Sequence, residues 1–250
     1  MSQPPVPGDV QRFLEGYIGQ RDDPKLNANL NFYMNERECE PNDLTIDQLH
    51  KEWDGEYEIL EFEHGYIQWL FPIPEHGMNM RSQPLQKHEE IAMRKSPEVM
   101  ARILRSYKLM LDFYGMQLAD ERTGLVQRVQ APKDYAPRYR NLQRSSHNYL
   151  RVSRILKHLS IMGLEHLGAG LILHFLREQS ENKVFDTPGL HSSMDRWWAN
   201  CLRNKEDRAW IGSLIQDVRA GKTKFSSADY AAAVDRRAST GSFAPADSAT

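Results

Sequence analysis

Apolar residues along the chain recur at three- and four-residue steps, the spacing of a half-buried helix. The pattern is clearest over residues 96–114. Ser96 suits an N-cap, Pro97 the first helical position, and Glu98 the positive end of the helix dipole. Val99, Ile103, Tyr107, Met110 and Tyr114 then follow one face, with Met100, Leu104 and Leu111 beside them, and Gly115 stops the run. So wide a stripe predicts a helix deep in a core.

The same logic predicts helices over 10–18, 25–34 and 45–53, and a longer one over 56–71 that Pro72 ends. Residues 72–86, with Pro72, Pro74, Pro84 and Gly77, read as an irregular crossing loop. Residues 139–144 and 147–162 read as one bent or continuous helix, and Gly163 separates it from another over 164–179. A loop follows over 182–192, then a helical pair over 193–203 and 206–218. From Ala220 the composition turns to Ala, Ser, Thr, Gly and Asp, which predicts a mostly disordered tail. No stretch alternates as a strand does, and no repeat or sustained heptad is present. The expected fold is therefore all-α, a compact, bundle-like multi-helix domain with short loops and a disordered C-terminal tail. Its parts are an N-terminal arm and short helix (1–24), a main domain (25–181), a helical pair packed on it (182–219) and the tail (220–250).

Composition narrows the class. The 250 residues are 40% hydrophobic and 26% charged, enough for a folded core. A net charge of −2 argues against a globally basic nucleic-acid binder. Cys39 and Cys201 stand far apart, which excludes a disulfide-rich scaffold and a thiolate zinc site and points to a reducing compartment. The N-terminus lacks the apolar core of a signal peptide, and the uncharged run 166–176 is too short to span a bilayer. Membrane association is thus expected to be peripheral, if present at all.

Chemistry concentrates in two places. Within residues 53–72, Tyr57, Leu60, His64, Ile67 and Phe71 share helical spacing, and Trp53, Tyr66 and Trp69 add aromatic area that can line a pocket. Glu61 and His64, at i and i+3, form half of a carboxylate-bridged metal motif, but no second copy exists. The plainer reading packs His64 and the aromatics in the core. Charge is also segregated: residues 36–63 hold eleven acidic and two basic residues. Residues 135–164 hold Arg138, Arg140, Arg144, Arg151, Arg154 and Lys157 with no acid among them. On the 145–162 helix, Leu150, Val152, Ile155, Leu156 and Leu159 read as the apolar side. Its basic side reads as a solvated face or an internal match to the acidic segment, and otherwise as a dock for an acidic partner. Nucleic acid is not expected, because no stacking aromatics interleave with these bases.

Weaker signals add little. His158, His166 and His174 recur every eight residues, which is ~80° past two turns, so they share no ligand face. Arg236-Arg237-Ala238-Ser239 matches a basic-basic-x-Ser phosphorylation pattern. There is no GxSxG, P-loop, GxGxxG or HExxH, and neither Ser146-His147 nor Cys201 has a partner at recognisable spacing.

Several blocks together resemble one family. They are Asn31-Phe-Tyr-Met-Asn35, Ile46-Asp-Gln-Leu-His50 with Trp53, and Tyr66-Ile-Gln-Trp-Leu-Phe-Pro72. Pro84-Leu85, Arg105-Ser-Tyr-Lys-Leu-Met-Leu-Asp-Phe-Tyr-Gly115, Arg140-Asn-Leu142 and Ser146-His-Asn148 follow, then Arg154-Ile-Leu-Lys157 and Gly163-Leu-Glu165. The chain resembles the opioid growth factor receptor conserved-domain family over residues 26–180, although Phe62-Glu63-His64 stands where the family pattern has a pair of histidines. The resemblance implies a receptor-like protein for a short peptide such as Met-enkephalin, at the nuclear periphery or in the nucleus, while the residues themselves point to a cytoplasmic protein and call for no cofactor or metal. It carries over no peptide-contact residues. Residue chemistry supplies the expected site. Tyr57, His64, Tyr66, Trp69 and Tyr114 would wall an aromatic cleft, Glu61 would meet a ligand amine, and Arg105 or Arg154 a carboxylate. Two other readings remain open. One is an enzyme with Glu61 and His64 as acid and base in a closed pocket, the carboxyl raised by burial. The other is an adaptor that docks a partner through its charged faces.

Overall fold

The computed structural model describes residues 6–246. The chain opens with three short helices, α1 (Gly8–Leu14), α2 (Ala28–Tyr33) and α3 (Ile46–Glu52). α4 (Tyr57–Phe62) and α5 (Tyr66–Leu70) follow, then an irregular crossing and α6 (Lys87–Lys95), which hydropathy alone had not singled out. The long α7 (Pro97–Phe113) leads into a hairpin, β1 (Met116–Asp120) and β2 (Leu125–Arg128). α8 (Tyr135–Arg144), α9 (His147–Ile161) and α10 (Glu165–Asn182) come next, then α11 (Pro188–Arg196), α12 (Lys205–Arg219) and α13 (Ser227–Thr240).

The class is all-α, and α7, α9 and α10 form its centre. α7 begins as its sequence dictates: Ser96 Oγ accepts from Val99 N–H at 3.3 Å, and Pro97 fills the first helical position. α10 is apolar nearly all round, with Leu167, Leu171, Ile172, Leu173, Phe175 and Leu176 buried, so it can sit only in the interior. α2 has no cap of its own. Buried Glu89 of α6 accepts from the N–H groups of Asn29 and Leu30 at 2.9 and 3.0 Å and satisfies that helix start.

Four expectations need correction. The first concerns strands: Met116 to Leu118 pair antiparallel with Val126 to Arg128, with a bulge before Asp120. The pattern is too short to show in hydropathy. A close backbone approach holds the hairpin on α10, where a Cβ built on Gly170 would lie 1.9 Å from the carbonyl oxygen of Gly124. Gly170→Ala is therefore expected to push the hairpin off α10 and lower stability by about 2 kcal/mol, read by chemical denaturation. A change below about 0.5 kcal/mol would mean the hairpin is not seated there.

The second concerns the tail. Residues 220–250 were expected to be mostly disordered, yet α13 takes up 14 of them. A capping box joins Ser226 and Asp229, and Gly241 closes the helix at φ 85°. Tyr230 explains why it docks: its hydroxyl donates to Gly170 O at 3.1 Å and accepts from Val126 N–H at 2.9 Å. Beyond the helix, Asp207 accepts from the N–H groups of Phe243 and Ala244 at 2.8 and 3.0 Å, so the chain folds back onto α12. Residues 247–250 lie outside the described residues. The Arg-Arg-x-Ser pattern falls on the last turns of α13, where Arg236 stacks over Trp210 and donates to Phe243 O.

Third, α11 starts at Pro188, inside the expected loop, because Thr187 accepts from Leu190 N–H and Pro188 takes the first position. Fourth, the helix expected over 56–71 is two helices. Glu63 turns to an extended conformation (ψ 139°), and α5 begins only after Gly65. α8 and α9 are likewise separate, broken at Ser145. The break between α4 and α5 has a cause on α9, and that cause positions the candidate site.

Candidate functional site

A helix that stops leaves its last carbonyls without partners. α4 stops at Phe62 and α5 at Leu70, and α9 supplies donors at both ends from a stripe at positions 148, 151, 154 and 158. Arg151 Nη1 donates to Leu60 O at 2.7 Å, and its Nη2 donates to Glu63 O at 2.7 Å and Glu61 O at 3.2 Å. Arg154 Nε donates to Phe71 O at 2.8 Å, and His158 Nδ1 to Pro72 O at 2.7 Å. Asn148 adds a bond to the Glu61 carboxylate at 3.2 Å. The steps of three and four residues place all four on one helix face.

This inverts the expected orientation of α9. Arg151 is 4% exposed and Lys157 2%, whereas Leu150, assigned to the apolar side, is 70% exposed. Hydropathy misreads the helix because its inward face contacts backbone carbonyls as well as apolar side chains. Arg151, Arg154 and Lys157 are accordingly not a solvated face; of the expected basic surface, Arg140 and Arg144 stay exposed and Arg138 lies over the Tyr57 ring at 4.7 Å. Lys157 Nζ donates to Asp9 at 2.9 Å and to Glu75 at 2.9 Å, so α1 and the crossing loop are pinned to α9.

Between α9, α5 and the crossing loop lies a groove of about 260 Å3. Ile67, Ile73, Met78, Leu150 and Trp197 give it apolar walls; His64, His147 and Arg154 are part of its polar lining, and the Asp9 and Glu75 carboxylates, both paired with Lys157, line it too. Arg154 spends only its Nε on the protein. Neither Nη nitrogen makes a hydrogen bond or ion pair among the described residues. Burial lowers this guanidinium to about 10, with the Glu75 carboxylate opposing, so it stays charged at neutral pH.

The eight expected site residues do not converge. His64 and Arg154 line the groove, and Glu61 touches it through His147. Tyr66, Trp69 and Tyr114 are core residues rather than cleft walls, 0%, 0% and 2% exposed. Tyr66 OH donates to Leu60 O at 2.9 Å and Trp69 Nε1 to Glu40 O at 3.0 Å; the Tyr114 hydroxyl is buried without a partner. Tyr57 donates to Asp112 at 2.8 Å on another side of α4. Arg105 stands on the wall of a separate, more open hollow of about 480 Å3, beside Lys108, Asp112 and Lys133.

The Glu61–His64 pair is also redrawn, because the helix break carries His64 away from Glu61. Glu61 instead accepts from Asn141 Nδ2 at 2.7 Å, and His147 Nε2 lies 3.1 Å from its other oxygen, off the line of a hydrogen bond. The His64 ring sits 5.5 Å from that of His147. Burial alone would raise the Glu61 carboxyl, but hydrogen bonds from Asn141, Asn148 and Ser145 and the nearby His147 hold it below its ordinary value. Burial lowers His147, with Glu61 opposing. A proton donor raised toward neutrality, which the enzyme reading needs, is therefore not what Glu61 is. Among the described residues no three His, Cys, Asp or Glu side chains gather as metal ligands, and no helix is long and apolar enough to cross a membrane. Sequence reasoning missed His147, Met78, Leu150, Trp197 and Glu75. Only His147 carried a signal, through its place in the Ser146-His-Asn148 block.

Comparison with known proteins places this geometry in context. The opioid growth factor receptor (OGFr) conserved region matches residues 22–231. The human opioid growth factor receptor is 39% identical over 219 residues, covering 87% of this chain and 32% of that protein. Its mouse counterpart is 44% identical over 172 residues, 68% of this chain and 27% of that protein. Opioid growth factor receptor-like protein 1 of Xenopus tropicalis is 41% identical over 181 residues, 72% of this chain and 34% of that protein. The chain thus spans about a third of the length of the curated relatives it matches. No solved structure matches it.

Proposed function

Because the chain belongs to the opioid growth factor receptor family, we propose that it binds a short amphipathic peptide of the opioid growth factor kind in the groove beside α9. The observation that carries this reading is Arg154: a charged guanidinium on a largely apolar-walled groove, with neither Nη nitrogen in a hydrogen bond or ion pair among the described residues and the nearby Glu75 carboxylate paired instead with Lys157. A peptide's terminal carboxylate matches that fork, and a charge-assisted pair there is about twice as strong as a neutral hydrogen bond. Ile67, Ile73, Met78, Leu150 and Trp197 would take one apolar or aromatic side chain. The groove, at about 260 Å3, suits a terminus and one or two side chains. The remainder of a pentapeptide would lie across the surface outside it.

The test is native mass spectrometry with isothermal titration, using Met-enkephalin and its C-terminal amide. The acid form is expected to bind one to one, about tenfold more tightly than the amide. Arg154→Met should remove that preference. Leu150→Asp, at an exposed position where folding is not at stake, should weaken both forms. No binding of either peptide, or a folded Arg154→Met variant that still prefers the acid, would overturn the reading.

A further inference from the structure

Nine large apolar side chains are exposed among the described residues, and five of them, Ile59, Phe62, Met78, Met80 and Leu150, sit on three segments that hydrogen bonds tie to one point of the chain. That point is the break between α4 and α5. Asn79, between the two methionines, donates to Gly65 O at 3.0 Å and Glu40 O at 2.7 Å, which holds their turn against the start of α5. Arg151, next to Leu150, donates to the carbonyls of Glu61 and Glu63. Ile59 and Phe62, three residues apart, share one side of α4. Phe62, Met78 and Met80 are 76%, 91% and 81% exposed. Single exposed apolar residues need no explanation, but a group of this size marks a contact surface, and methionines adapt their shape to what they meet.

Charge says what it meets. Glu52, Glu56 and Glu58, running into this face, are exposed and make no ion pair or side-chain hydrogen bond among the described residues, while Asp54 between them lines the separate hollow. Lys51 and Arg81 are exposed bases near them, and Arg138 lies over the ring of Tyr57, between Glu56 and Glu58 in sequence, without an ion pair to either among the described residues. We propose that this face docks a cationic amphipathic helix of a partner protein. Apolar residues at i, i+3 and i+4 would lie on Phe62 and the methionines, and lysines or arginines along the flank would meet the α3–α4 carboxylates. The face adjoins the groove through Met78 and Leu150, but Phe62 and Met80 do not line that groove. The docking therefore stands or falls independently of peptide binding there.

The experiment titrates the full chain with a fluorescent Leu/Lys amphipathic helix and with a Leu/Glu helix of the same apolar face. The Leu/Lys helix is expected to bind one to one, more weakly as salt rises, and the Leu/Glu helix not to bind. A Phe62→Ser/Met80→Ser variant, which keeps every charge, should lose at least about tenfold in affinity while its circular dichroism stays unchanged. Equal binding of both helices, or of the Leu/Lys helix to the folded double variant, would overturn the proposal. So would a concentration-dependent dimer in sedimentation that the double variant abolishes, which would assign the face to a second copy.

Discussion

Arg151→Met is expected to cost about 3 kcal/mol of stability, the loss of donors to three backbone carbonyls at about 1 kcal/mol each. Those carbonyls belong to Leu60, Glu61 and Glu63; Leu60 O keeps the Tyr66 hydroxyl as a second donor, whereas the Glu61 and Glu63 carbonyls have no other side-chain donor among the described residues. Its 5.4 Å approach to the Tyr66 ring is lost as well, while relief from burying a cation offsets part of the loss. For a domain of this size the melting temperature should fall by about 6–12 °C. Lysine should rescue less than half of the effect, because a compact ammonium cannot reach acceptors spread across a planar fork. Thermal denaturation of the two variants decides it. A loss below about 1 kcal/mol for Arg151→Met would mean that the carbonyls find water or another donor, and that α9 does not organise the 60–72 segment.

The second large effect is acid sensitivity. His50, His158 and His174 are 2%, 0% and 0% exposed. Burial is the main cause for each, lowering His50 to about 3, His158 to about 4 and His174 to about 3. Nearby cations push the same way: Arg105 for His50, Arg154 for His158 and Arg177 for His174. Each is neutral in the fold but takes a proton in the unfolded chain below about 6.5. The stability of neutral burial is thus complete above about pH 6.5 and drains away as pH falls toward the folded values. One group contributes about 1.4 kcal/mol per pH unit inside that window. Three together should remove on the order of 5 kcal/mol between pH 7 and pH 5. Asp9, Asp47 and Glu61 are lowered in the fold, so their contribution is present above the ordinary carboxylate range and is lost only below it. The acid loss near pH 5 therefore belongs to the histidines, with smaller contributions of the same sign from the partly buried His147, His166 and His191. Urea midpoints across pH 5–7 measure it, and His158→Asn should flatten the slope by about 1.4 kcal/mol per pH unit, whatever its own stability. A flat profile would mean that water or a buried counter-charge reaches these rings.

Much of the fold is legible in the sequence, and the exceptions share a physical reason. α7 is readable because its inward face is purely apolar and its cap, Ser96-Pro97, is local. α9 is misread because its inward face carries Asn148, Arg151 and His158, whose partners are carbonyls far away in sequence; nothing local distinguishes that use from a solvated face. The same long-range contact breaks the expected helix over 56–71. α13 looks disordered by composition, yet Ser226, Asp229 and Gly241 are start and stop signals, and Tyr230 is its anchor. In the site, Tyr66, Trp69 and Tyr114 stand out as aromatics but serve the core, since large rings give the same signal for packing and for recognition. His64 and Arg154 do meet in one groove. Met78, Leu150 and Trp197 join them from three other segments, and only tertiary structure brings those together.

The groove beside α9 is tested most directly by amide and indole chemical-shift mapping of the isotope-labelled chain during titration with Met-enkephalin. The account predicts that perturbations gather at His64, Gly77, Met78, His147 and Leu150 and at the Trp197 indole. Shifts gathered instead around Arg105, Lys108 and Lys133 of the separate hollow, or no saturable shifts at the groove residues, would contradict it.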